Sequence, residues 1–260
     1  LVGAGTDVSE AVVDERSAAA GADAPATIVY TSGTTGRPKG CVLSHRSFFA
    51  ECGNVVERLG PLFRTGHSSV LLFLPLAHVF GRLVAVACVR PRIRLGHQPS
   101  MTAADLLPDL AAFRPTFVLA VPYVFEKVFQ TARRKAEASG RLGTFEKAVD
   151  IAVRHAEAME AKAFGTGPGP ATGLRMQHQL YDKLIYSRVR DALGGRVRHG
   201  ISGGSAMDRR LGLFFAGAGV TVYEGYGLTE TTAAATANPP ERIRFGTVGR
   251  PVPGTTVMIA

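Results

Sequence analysis

Between Thr31 and Gly40 the chain reads TSGTTGRPKG, placing four hydroxyls, three glycines, one arginine and one lysine in ten residues. A phosphate asks for several donors and compensating charge, and hydroxyls, exposed backbone N–H groups and an ammonium supply them at this density. A Walker A loop is excluded. That motif runs Gly-Lys-Ser/Thr straight into a helix, whereas here Pro38 precedes Lys39 and Gly40 follows it. Gly-Thr-Thr-Gly alone would be a solvated turn; the full ten residues carry the phosphate reading. A second group, YEGYGLTE at 223–230, sets Tyr226 between Gly225 and Gly227, ahead of Thr229 and Glu230. Glycine on both sides deprives Tyr226 of a regular strand's neighbours, which favours ligand contact over core packing. Glu230, read alone, is a solvated acid at a helix start, and His78, after one apolar run and before another, is a core histidine.

These residues need elements to hold them. Ile28-Val29-Tyr30 reads as a short strand. Glycine at 33, 36 and 40 and Pro38 then turn the chain back. Ser44 is a fitting N-cap for a helix with Phe48, Phe49, Cys52, Val55, Val56 and Leu59 at helical spacing, so strand, turn and helix lie end to end. A buried strand at 69–74 breaks at Pro75 before an apolar helix through Val89. There follow a strand at Ile93–Leu95, a helix near 102–112, a strand at 116–122 and a helix from Tyr123 to Ala138. The helix at 144–164 places Phe145, Val149, Ala152, Val153, Ala156 and Met159 on one face, and 165–173 is a Gly/Pro loop. A helix at 175–193 ends at Gly194-Gly195. Strand 196–201, glycine turn SGGSAM (202–207), helix 207–217, strand 220–223 and a second glycine turn complete the series. Alternating strands and helices, with strands apolar throughout, predict an α/β fold of mainly parallel sheets layered with helices. Two glycine turns directly after strands put backbone N–H groups at strand C-terminal ends, where open α/β sheets bind ligands.

Composition narrows the class. Residues number 260, with 46% hydrophobic and 20% charged, as in an ordinary globular chain. Thirty Lys and Arg against 21 Asp and Glu give +9, a balance that favours anionic partners and is compatible with peripheral association at acidic membrane lipids. The positive charges are spread, apart from small groups at Arg90, Arg92, Arg94 and at Arg133, Arg134, Lys135, so nucleic acid is not the expected partner. Cys41, Cys52 and Cys88 show no metal or Cys-x-x-Cys spacing and read as reduced thiols of a cytoplasmic protein. No apolar run approaches the roughly 18 residues of a membrane span. The opening stretch to Ala26, small and acidic, reads as a helix with loops or as partly disordered.

The Thr31–Gly40 string resembles the signature loop of the adenylate-forming, AMP-binding enzymes, and further motifs follow in that superfamily's order. LPLAHVFGR (74–82), SGGSAM (202–207), YEGYGLTE (223–230) and GTVGRPVPG (246–254) spread the resemblance over 27–254. VPYVFEKVF (121–129), the helical insert to about 190 and LGGRVRHGISGG (193–204) are most similar to long-chain fatty acyl-CoA synthetases, and the Ala-, Arg- and Val-rich, tryptophan-free texture suits an actinobacterial member.

The resemblance implies a reaction in two steps. A fatty acid carboxylate attacks the α-phosphate of ATP to give acyl-adenylate and pyrophosphate, and coenzyme A then displaces AMP. It further implies that Thr31, Ser32, Gly33, Thr34, Thr35, Gly36 and Lys39 hold the β- and γ-phosphates. Thr229 would donate to the α-phosphate, Glu230 would hold Mg²⁺, and Tyr226, with Gly227 beside it, would stack on adenine. Gly203, Gly204 and Ser205 would meet the purine edge, and His78 would serve the carboxylate pocket or act as a gating residue. One departure is Ser205-Ala206-Met207 where many relatives have Ala-Pro-Leu, which removes a stiffening proline.

Both ends read as cut, and TTVMIA at 255–260 as the middle of a strand. The expectation is a partial N-terminal adenylation domain over 1–260, without the small lysine-bearing C-terminal domain and with little complete ligase activity of its own. Two other readings stay open: a fatty acyl-AMP ligase serving a carrier protein, and a non-catalytic nucleotide-binding module. Acyl length and oligomeric state are not written in these residues.

Overall fold

The computed structural model describes residues 3–31 and 36–259. Ser32, Gly33, Thr34 and Thr35, expected from sequence to hold phosphate, lie outside them. After helix α1 (Glu10–Ala19), strands β1 (Pro25–Thr31) and β2 (Lys39–Ser44) form an antiparallel hairpin, with Ile28 opposite Val42 and Thr31 opposite Lys39. The expected turn-back is present, but the chain enters a second strand before the helix. Alternation of half-buried Cys41, exposed Val42 and buried Leu43 carries it, a run too short to register against Gly40.

Helix α2 (His45–Arg58) starts at the expected cap, where Ser44 Oγ accepts from Ser47 N at 3.2 Å. The remaining elements are β3 (Ser69–Leu72), α3 (Val79–Ala87), β4 (Arg94–His97), α4 (Ala103–Phe113), β5 (Phe117–Ala120), α5 (Pro122–Ala138), α6 (Leu142–Ala163), α7 (Thr172–Tyr181), α8 (Ser187–Asp191), β6 (His199–Ser202), α9 (Arg209–Gly217), β7 (Thr221–Tyr226), β8 (Thr236–Ala237) and β9 (Arg250–Pro251). Spatial order in the main sheet is β4-β3-β5-β6-β7-β8-β9. Pairing is parallel through β7 and antiparallel for the last two strands.

This order reverses direction at β3. The chain steps one way to β4, then passes back over β3 to reach β5, β6 and β7. Because parallel crossovers are right-handed, α3 covers one face and α4, α5 and α9 the other. Strands β3 and β5 are buried at every residue, which accounts for their continuous apolar runs. Under β5 and β6, α5, α6 and α9 enclose Phe125, Phe129, Phe145, Phe214 and Phe215, with neighbouring ring centroids 5.0–5.7 Å apart.

Three expectations change. The helix foreseen at 175–193 is α7, a π-helical stretch at Asp182–Tyr186, and α8. The wider turn lets Tyr186 bury fully and donate to Ala148 O at 2.7 Å, while Arg190 pairs with Asp182 at 2.6 Å. Phe49 and Met159, counted with buried helix faces, are exposed at 75% and 48%. Residues 255–259 carry no regular structure, so no strand forms there.

Candidate functional site

A cavity of about 430 Å³ opens at the C-terminal ends of β3, β5, β6 and β7, beside the strand where the order reverses. Segments following each strand build it: Pro75 and His78 after β3, Val121 after β5, Gly203 and Gly204 after β6, and Tyr226, Gly227 and Thr229 at and beyond the end of β7. Its other walls are largely apolar, from Val55 of α2, Leu59 at its C-cap, and Leu83 and Val84 of α3. The volume suits a small molecule, and the mixed walls suit one with an apolar body and a polar end.

Of the residues foreseen from sequence, His78, Gly203, Gly204, Tyr226, Gly227 and Thr229 share this cavity. Thr31, Gly36, Lys39, Ser205 and Glu230 lie off its wall. Tyr226 differs from expectation in its backbone. It is the last residue of β7 and pairs with Thr236, since the short strand β8 supplies the neighbour that the flanking glycines had argued against. Its ring is half-exposed all the same.

The loop after β7 is built tightly. It makes a 3₁₀ turn at Thr229–Thr231, then takes the left-handed region at two non-glycine residues, Thr232 (φ 57°) and Ala233 (φ 95°). Thr231 Oγ1 accepts from Leu228 N at 3.0 Å, and Ala233 N reaches back to Leu228 O at 3.0 Å. As a result Ala233 O comes to 1.2 Å from where a Cβ on residue 227 would sit, so only glycine fits there. Consecutive strained residues of this kind gather at ligand sites. Nothing in Thr232 or Ala233 as residue types announces them.

The β1–β2 hairpin is tied to this site. Arg82 of α3 donates to the Thr27 hydroxyl and, through Nε, to Leu76 O at 2.9 Å. Strand β2 packs against the Thr229–Thr231 turn, and burial, then the Glu230 carboxylate, push the Cys41 thiol up. Lys39 lies two residues before Cys41 and therefore on the same face of β2. Thr31 Oγ1 approaches Lys39 O at 3.5 Å across the hairpin.

Several polar groups here were not singled out from the sequence. Arg58 lines the cavity, donates from Nη2 to Pro251 O at 2.9 Å and, among the described residues, keeps a buried Nε without a partner; Ser202 Oγ, also in the wall, has none among them. Glu51, one turn before Val55 on α2, is 6% exposed, and burial raises its carboxyl to about 7. Glu224 in β7 is raised by burial as well, against N–H groups of Met207 and Gly246 that favour its charge. Periodicity could have shown Glu51 on a buried face, since it is four residues before Val55; Glu224 offered no such signal. Cys52 and Cys88 are pushed by burial to about 11 and about 12, leaving inert thiols.

Among the described residues no His, Cys, Asp or Glu cluster could hold a metal by itself, and no helix is long and apolar enough to cross a membrane. Comparison with known proteins matches this architecture. The chain is 42% identical over all 260 residues to long-chain-fatty-acid–CoA ligase FadD15 of Mycobacterium bovis, and 32% identical over 237 residues to long chain acyl-CoA synthetase 4 of Arabidopsis thaliana. It spans 42% of the first relative and 34% of the second, with 100% and 90% of its own length aligned. Among solved structures, a malonyl-CoA ligase with methylmalonyl-CoA and AMP bound shares the fold at TM-score 0.60, 24% identity and coverage of 90% of this chain and 39% of the other. ATP-bound MatB from Rhodopseudomonas palustris aligns at TM-score 0.56 and 25% identity, covering 90% and 35%. The profile described as AMP-binding enzyme matches residues 3–260, and the chain belongs to that family.

Proposed function

We propose that this chain is the nucleotide- and acyl-binding part of a long-chain fatty acid–CoA ligase, AMP-forming, using ATP, Mg²⁺ and coenzyme A. The observation that supports it best is the cavity itself: apolar walls from α2 and α3 end at two glycine turns and Thr229, which suits an acyl chain meeting a nucleotide. The identity to mycobacterial ligases along the whole chain points the same way.

In this reading Tyr226 and the Gly203–Ser205 turn take the purine, and Thr229 donates to the α-phosphate. Lys39, Thr31, Gly36 and the loop residues Ser32, Gly33, Thr34 and Thr35 hold the β- and γ-phosphates. His78 at the head of α3 meets the substrate carboxylate. Glu230 is exposed and makes no side-chain hydrogen bond to protein among the described residues, which fits a lone carboxylate sharing Mg²⁺ with phosphate oxygens. The ion would neutralise polyphosphate charge. What the protein supplies is orientation of two anions and donors aimed where charge develops at phosphorus. A cytoplasmic enzyme, with its basic balance drawing it to acidic lipid surfaces, suits such a substrate.

The test is full-length protein with ATP, Mg²⁺ and hexadecanoate, followed by mass spectrometry with and without coenzyme A. Acyl-AMP alone, converted to acyl-CoA on adding the thiol, is expected. Acyl-AMP that coenzyme A leaves untouched would favour an acyl-AMP ligase, and absence of any adenylate would favour a binding module.

A further inference from the structure

Four successive residues, Arg244 to Thr247, are each held by a buried polar side chain from elsewhere in the chain. Arg244 N donates to Asn238 Oδ1 at 3.0 Å, Phe245 N to Glu160 Oε1 at 3.0 Å, and Gly246 N to Glu224 Oε2 at 3.3 Å. Thr247 O accepts from Asn238 Nδ2 at 2.6 Å. Phe245 O accepts from Arg209 Nη1 at 2.7 Å, and the same guanidinium meets Glu160 at 2.7 Å. Glu160, Glu224 and Asn238 are 7%, 7% and 1% exposed.

Glu224 is the branch point. Its other oxygen, Oε1, accepts from Met207 N at 3.1 Å, its backbone pairs with Ser202, and it lies two residues before Tyr226. One carboxylate thus ties the 202–207 turn, the tyrosine strand and the 244–247 segment together. Asn238 closes the far side through its own N–H to Glu224 O at 2.9 Å. Stability alone is a poor reason for this arrangement, because well-packed apolar residues commonly serve a buried position as well as or better than charged ones. Fixed geometry is the better reason.

We propose that Glu160, Glu224 and Asn238 are positioning residues that set the nucleotide end of the cavity by clamping Arg244–Thr247 against the turn that faces the purine. This rests on the reading of that cavity as an ATP site. Glu224→Gln is nearly isosteric but presents an amide donor to one of two N–H donors. Asn238→Asp keeps the acceptor for Arg244 N and loses the donor to Thr247 O.

In full-length protein, titration calorimetry with ATP should show Kd raised about tenfold by E224Q and about threefold by N238D. Affinity for a fluorescent hexadecanoate analogue should stay within about twofold, since the acyl walls come from α2 and α3. Folded variants with unchanged ATP affinity would overturn the clamp, as would equal weakening of both ligands, the mark of general loosening. Should E224Q fail to fold, N238D decides by the same criteria. Wild-type protein that binds no ATP would overturn the site reading and the clamp with it, whereas wild-type binding with indifferent variants removes the clamp alone.

Discussion

Glu51→Gln should make the protein more stable at alkaline pH, and the gain follows from burial. Glu51 sits on α2 beside the cavity wall with Oε1 unpartnered among the described residues, and burial raises its carboxyl from 4.5 to about 7. Between those values the folded state keeps a proton that the unfolded state has released. Stability therefore falls as pH rises through that window, and the full cost is present above pH 7. At about 1.4 kcal/mol per pH unit, the rise corresponds to roughly 3 kcal/mol against the ionised form. Glutamine has the shape of the neutral acid and cannot ionise. Urea unfolding of wild type and E51Q at pH 5 and pH 8.5 gives the stability difference at each. That difference should shift toward the variant by about 2–3 kcal/mol between the two pH values. A difference that stays constant with pH, or moves against the variant, would refute desolvation of Glu51 as the cause.

Gly227→Ala places a Cβ on Ala233 O, so the 228–234 loop must move. Adenylate formation should fall at least about a hundredfold in a protein that still melts cooperatively, checked by pyrophosphate exchange. Phe214→Ala opens the aromatic cluster between α5, α6 and α9 and should cost about 3–5 kcal/mol in urea unfolding. His155 stacks on His178 at 3.9 Å, and burial, then His178 and Arg175, lower its basicity, so the fold favours its neutral form. That contribution is present above about pH 6.5 and lost as pH falls below it, which hydrogen exchange along α7 should show as smaller protection factors at pH 5.5 than at pH 7.5 once each rate is divided by its intrinsic rate at that pH.

Much of the fold was legible because its strands are buried on both faces. Val70 to Leu72 and Phe117 to Ala120 could be read as continuous apolar runs, and Ser44 as a cap. Strand β2 was hidden by its glycine, and the π-helical stretch by the near identity of helical periods. The cavity was half legible. Glycine turns after strands mark its mouth, so Gly203, Gly204 and Gly227 were found from type and place. Arg58, Glu51 and Ser202 were not, because their roles depend on which side of a helix or strand end the cavity lies. That is fixed only by the reversal of sheet order at β3, a long-range property.

The same reversal has a kinetic consequence. Walls drawn from Val55 to Val252 come together only when sheet pairings between distant segments are complete. Loop-closure entropy must be overcome before such contacts return anything, so they mature late. A nascent chain would therefore hold only marginal local helix before those pairings form, and ligand binding would be among the last properties to emerge from synthesis.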